Sequence, residues 1–159
     1  MSILLRENWG PPVWRILHTL AEKSGELTNQ IQIIDEENAW NHALKYFHDL
    51  MPCPLCSQHF KTYLIHNSAS VIFMKKGYQR KEWLQNFFWN LHNQVNKENN
   101  KEEFLRENLE IYNNKEEFQY AWETFKKMLS LGIEKKQLKA DLVKHAIKFL
   151  ETLKRLYSL

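Results

Sequence analysis

The chain has 159 residues, a length that favours one domain with a single core over two. Hydrophobic residues make up 43% and charged residues 26%, with 6 Trp, 6 Tyr and 9 Phe, which is too apolar for a disordered chain and too polar for a membrane bundle. Net charge is +3 with acids and bases interspersed, so no basic stripe points to nucleic acid; no leader-like start or long apolar run predicts secretion or a membrane span. Glycine and proline number four each, and all the prolines (Pro11, Pro12, Pro52, Pro54) fall in the first third. Beyond Pro54 only Gly77 and Gly132 interrupt the sequence, which argues against sheets and for an all-α fold.

The first helix is expected to begin near Pro11 or Pro12, where proline is tolerated, and to stop before Gly25, with Val13, Trp14, Leu17, Leu20 and Ala21 on one face. A second should run from about Asp35 to Leu50 and be ended by Pro52, and a third from the Cys-Pro-Leu-Cys sequence to about His66. The fourth spans about Lys81 to Lys97 and turns Trp83, Leu84, Phe87, Phe88, Leu91 and Val95 inward. Past Asn99 the composition shifts to Asn, Lys and Glu, and NNKEEF occurs at Asn99–Phe104 and again at Asn113–Phe118. Asn followed three residues later by Glu resembles a capping box, so both copies predict a helix start. Helices over about Lys115–Leu131, with Gly132 as the stop, and about Lys136–Leu156 complete the chain. Their apolar faces need either the first four helices or another subunit.

The two cysteines, Cys53 and Cys56, stand three apart at the start of the third helix. Free N–H groups and the helix dipole stabilise a thiolate there, and three residues of helix bring both sulfurs to one side. Phe60 and Tyr63 continue the stripe as an aromatic floor beneath the dithiol. Other readings of the pair remain: two inert buried cysteines, or a zinc site completed by two of His48, His59 and His66. Trp14 and His18 are i and i+4 on the first helix, as are His92 and Asn96 on the fourth, with Asn93 and Lys97 beside them. Together they outline a pocket that could sandwich a planar ring and fix its polar edges. A redox dithiol beside such a pocket suggests a flavin.

Trp9-Gly10 with Trp14 and Leu17-His18, then Pro52-Cys53 and Cys56 with Tyr63, then Leu91-His92-Asn93-Gln94-Val95-Asn96, resembles the Erv/ALR family of FAD-dependent sulfhydryl oxidases over residues 9–97. The WGPPVW opening and short length look like the members encoded by large DNA viruses, which would imply the host cytoplasm and a role in virion assembly. The resemblance implies a four-helix bundle with a short fifth helix, usually dimeric, holding FAD at its mouth. It makes Cys56 the flavin-proximal cysteine and Cys53 the one that substrate attacks. Gly10, Trp14, His18, Tyr63, His92, Asn93, Asn96 and Lys97 would contact FAD, and no metal is implied. The chain departs from the family pattern at Phe87, where many relatives have tryptophan, and at Glu98-Asn99-Asn100, where a leucine and basic or proline elements are common. Residues 1–101 are then expected to form the oxidase domain and 102–159 a C-terminal helical extension packed on it or used for association.

The reaction so implied is 2 R–SH + O₂ → R–S–S–R + H₂O₂, with a thiol-bearing protein, directly or through a thioredoxin-like relay, as the electron source. The alternative of a different class is a non-catalytic, zinc-stabilised helical interaction module.

Overall fold

The computed structural model describes residues 2–159, and the described residues contain helices and no strand. The first helix, α1, covers Arg6–Lys23 and so begins before the two prolines rather than at them. Proline inside a helix leaves a carbonyl one turn back without its partner. The segment stays helical because Trp9, ahead of the prolines, is buried in register with Val13, Ile16, Leu17 and Leu20, and its burial anchors the extra turn.

Helix α2, Gln30–Tyr46, also starts earlier than its apolar pattern suggests, because the Asn29 side chain caps it by accepting from the N–H groups of Ile31 and Gln32. Its last turn tightens into a 3-10 segment, Phe47–Leu50, just before Pro52. Helix α3, Pro54–His66, takes Cys53 as its N-cap. After a 3-10 segment at Ala69–Met74, helix α4 runs over Tyr78–Glu98. The aromatic pairs Trp40–Phe88, Tyr63–Phe87 and Phe47–Phe60 join α2, α3 and α4, while α4 also packs along α1.

The expected helix start at Asn99–Phe104 is absent. Residues 101–105 form no helix and lead into a 3-10 segment, Arg106–Tyr112. The second NNKEEF copy behaves as its sequence predicts: Asn114 accepts from the Glu117 N–H at 3.0 Å and opens α5, Lys115–Glu134. Gly132 does not stop that helix. A Cβ there would come within 2.6 Å of Leu138 Cδ1, so the glycine lets the Leu138 side chain pack directly on α5 where the chain folds back into α6, Ala140–Leu156.

Helix α5 packs along α1 and buries Phe118, Trp122 and Phe125, while α6 packs along α2 and buries Val143, Ala146, Leu150 and Leu153. Leu142, near the start of α6, is exposed. The apolar faces of both C-terminal helices are therefore covered within the chain, in one continuous core with α1, α2 and α4.

Far from the cysteines, Arg80 is buried between α4 and α2, donating to Glu36 at 2.6 Å and to Glu37. The Tyr157 hydroxyl donates to Glu36 at 2.6 Å and accepts from Trp40 Nε1 at 2.8 Å. Burial and the Glu36 carboxylate push the Tyr157 hydroxyl pKa well above its ordinary value, so Tyr157 stays a donor. A buried ion pair that loses one member costs about 3–5 kcal/mol, so this cluster fixes the relative placement of α2, α4 and the C-terminus.

Candidate functional site

Cys53 and Cys56 form a disulfide with their Cα atoms 5.2 Å apart. Helical rotation in the first turn of α3 brings the sulfurs together, and the Cys56 N–H donates to the Cys53 Sγ at 3.2 Å. Cys56 lines a narrow apolar pocket with Trp9, Gly10, Trp14, Phe60 and Leu91. Trp9, one of the residues that line this pocket, keeps its Nε1 buried without a hydrogen-bond partner. Nothing lies within 4 Å of the place where a Cβ of Gly10 would stand, so the α1 backbone borders open space there.

Gly10, Trp14 and Val95 also line a second, wider cleft of about 1030 Å³, so the two spaces meet along one edge of α1. The wide cleft lies between α1, the end of α4 and the start of α5, and is bordered by His92, Asn96, Lys101, Tyr112 and Tyr120. Such a volume accommodates a ligand at the upper end of the small-molecule range. Three cations, Arg6, Arg15 and Lys101, stand on its rim, with Arg15 held 2.6 Å from Glu117 and over the Tyr112 ring.

His92 lines the cleft, and His18 backs it. His18 Nε2 and His92 Nδ1 are 2.9 Å apart, so one proton is shared between them. Burial, aided by His92, lowers the His18 pKa to about 3. Burial, aided by Lys101, lowers that of His92 to about 4. Both rings are therefore neutral at physiological pH. His92 stacks on Trp14 with centroids 4.1 Å apart, and His18 stacks on Tyr112 at 4.5 Å. The result is a flat aromatic wall with hydrogen-bonding edges.

The residues singled out from the sequence separate into groups. Gly10, Trp14, His92 and Asn96 line the wide cleft, and Cys56 shares the narrow pocket with Gly10 and Trp14. His18 stands behind His92. Tyr63 donates its hydroxyl to the Phe87 carbonyl at 2.8 Å, with burial raising its pKa to about 12, so it braces α3 against α4. Asn93 has both ends of its amide on the Phe104 backbone, accepting at 2.7 Å and donating at 3.0 Å, and borders neither space. Lys97 is exposed and also borders neither. Cys53 sits at the helix end, half-buried, beside the exposed Pro54 and Leu55.

Sequence reasoning missed Arg15, Lys101, Phe104 and Tyr112. Phe104 and Tyr112 are aromatics in an otherwise polar stretch, a signal of local burial that the repeated NNKEEF obscured. Among the described residues no group of three or more His, Cys, Asp and Glu could hold a metal ion. The zinc alternative therefore lacks ligands: the two sulfurs bond to each other, His48 points at Asp49, His59 pairs with Glu98, and His66 is exposed. No helix is long and apolar enough to cross a membrane.

Compared with known proteins, the chain matches the model of the Erv1 / Alr family over residues 11–123. The matched stretch holds both cysteines, the Trp14–His92 stack, the clamped loop and the first half of α5. No curated protein and no solved structure gives a match.

Proposed function

The chain belongs to the Erv1 / Alr family, and from that membership we propose that it is an FAD-linked sulfhydryl oxidase that forms disulfide bonds in substrate proteins. The observation that carries this reading is the disulfide at the N-terminus of α3, with Cys56 lining an apolar pocket that shares Gly10 and Trp14 with an aromatic-walled cleft. The open space over Gly10 and the Trp14–His92 stack beside the polar Asn96 fit a large planar ligand with polar edges. Trp9, Gly10, Trp14, His92 and Asn96 would hold FAD, with Arg15 and Lys101 as the cations available to its phosphates. When bound, FAD accepts an electron pair from the dithiol and passes it to dioxygen, giving hydrogen peroxide.

A substrate thiolate attacks the Cys53 Sγ, the Cys53–Cys56 bond breaks, and its electron pair leaves with Cys56 as a thiolate. A second substrate thiol displaces Cys53 and completes the product disulfide. Cys53 is suited to the attack because it lies at the helix end, where substrate reaches it and the Cys56 N–H polarises its sulfur. Cys56 is suited to face the cofactor because it lines the pocket, where apolar walls exclude water. Neutral His18 and His92 present hydrogen-bonding edges without adding charge beside the ring. Thiol-bearing proteins, directly or through a thioredoxin-like relay, would be the electron donors.

Purified protein should be yellow and consume oxygen with a small dithiol. Cys53→Ser and Cys56→Ser should each cut that rate at least a hundredfold while keeping flavin bound. Substantial turnover in either variant, or a colourless wild type that takes up no flavin, would overturn the reading.

A further inference from the structure

Opening the Cys53–Cys56 disulfide places negative charge in two unequal settings. Cys53 is the N-cap of α3, and its sulfur already accepts a backbone N–H. The helix end therefore stabilises a thiolate there. Among the described residues no hydrogen bond reaches the Cys56 Sγ. It borders a pocket with walls that include Val13, Leu17, Phe47, Met51 and Phe60, and a thiolate against such walls is destabilised without a counter-charge.

Three ionisable side chains from three helices border the same pocket: Arg6 of α1, His59 of α3 and Glu98 of α4. Arg6 is already engaged, donating to the Asn99 side chain. His59 follows Cys56 by three positions on the same helix, a spacing that puts neighbouring side chains on one face. Its Nδ1 lies 3.5 Å from Glu98 Oε2. A carboxylate at one ring nitrogen fixes the imidazole and leaves Nε2 for another partner.

We propose that His59, oriented by Glu98, takes up the proton released when substrate opens the disulfide, and then pairs as imidazolium with the Cys56 thiolate. The proposal rests on the oxidase reading above. The step balances as R(SH)₂ + Cys53–S–S–Cys56 + His59 → RS₂ + Cys53–SH + Cys56–S⁻ + His59–H⁺. Two S–H bonds and one S–S bond break in the reactants, and one S–S, one S–H and one N–H bond form. The substrate dithiol is oxidised by two electrons and the enzyme disulfide is reduced. His59 is the proton acceptor, and Glu98 is a positioning residue that acts through it.

The test uses the full chain carrying Cys53→Ser, in which Cys56 is the sole cysteine, and follows its alkylation by iodoacetamide against pH. His59→Asn should move the alkylation midpoint up by about one pH unit, and Glu98→Gln should move it in the same direction by less. An unchanged midpoint in His59→Asn, or a larger shift in Arg6→Gln than in His59→Asn, overturns the proposal. A second measurement needs no substitution at His59: in the wild type, the imidazole midpoint of His59 followed by NMR should rise when the disulfide is reduced. A midpoint equal in the two redox forms also overturns the proposal. Neither readout requires flavin or turnover, so failure here is separable from failure of the oxidase reading, which oxygen consumption by the wild type decides.

Discussion

Lowering the pH from 7.5 to 5.0 should destabilise the fold through the His18–His92 pair. An imidazole in the unfolded chain titrates near 6.5, whereas the folded values are about 3 for His18 and about 4 for His92. Below pH 6.5 the unfolded chain thus binds protons that the folded chain refuses. Linkage then requires that stability be fully present above that pH and fall progressively below it. At pH 5.0 the gap for His18 is about 1.5 units of pH, which at 1.36 kcal/mol per unit costs about 2 kcal/mol. His92 is part-exposed, and screening reduces its share to about 1 kcal/mol. Urea unfolding at the two pH values, for the wild type and for His18→Asn combined with His92→Asn, measures the difference. The double variant should lose about 3 kcal/mol less than the wild type between pH 7.5 and 5.0. An equal loss in both proteins would show that the pair is not held neutral in the folded state, and the aromatic wall built on it would need another account.

Gly10→Leu should block the flavin site. Nothing from another part of the fold fills the place its Cβ would take, so the leucine side chain stands in the two spaces that Gly10 lines, and fluorescence titration should show flavin affinity reduced at least tenfold. Unchanged affinity would show that flavin does not lie against this stretch of α1. A chain ending at Asn100 should neither hold FAD nor unfold cooperatively, because it lacks the α5 residues that border the cleft and exposes the faces of α1 and α2. A soluble, flavin-loaded truncation with a sharp melting transition would refute this.

The helical faces were legible wherever one residue type had one physical meaning. The apolar period of α4 and the proline-terminated dithiol at the start of α3 survive intact in the structure. The cap at Asn114 was legible for the same reason, since its side chain has only local backbone to serve. The first NNKEEF carries the same chemistry and forms no helix, because Trp89 and Asn93 of α4 take the backbone N–H and carbonyl of Phe104 as their own hydrogen-bond partners. That competition comes from residues remote in sequence, and local pattern cannot show it. The prolines misled for a related reason: their local preference marks a helix start, and burial of Trp9 overrides it. Arg80, Glu36 and Glu37 look like surface charges on amphipathic helices until α2 and α4 are brought together. In the site, the cysteines and the Trp14–His92 pair were legible, but Tyr112 enters it only because the segment Arg106–Tyr112 folds back on α1, where it meets Arg15.

The two ends of the bundle carry different burdens, and this bears on how the cleft keeps its shape. Its inner wall depends on Trp14 of α1 lying 4.1 Å from His92 of α4, a stack that a small sliding of one helix past the other would destroy. At the disulfide end the Arg6–Asn99 hydrogen bond links α1 to the end of α4, and the space between the helices is the pocket itself. A stronger constraint comes from the far end, where Glu36 receives Arg80 of α4, Tyr157 after α6, and the Gly25 N–H just past α1, the last at 3.3 Å. Helices are stiff, so fixing α1 and α4 at one end sets their separation at the other. Helix α5 adds a second restraint by packing along α1, and the Phe104 loop joins the end of α4 to the segment beneath it. The open end can therefore remain open, with an unfilled pocket beside Cys56, because the closed end and the C-terminal helices bear the cost of holding α1 and α4 in place.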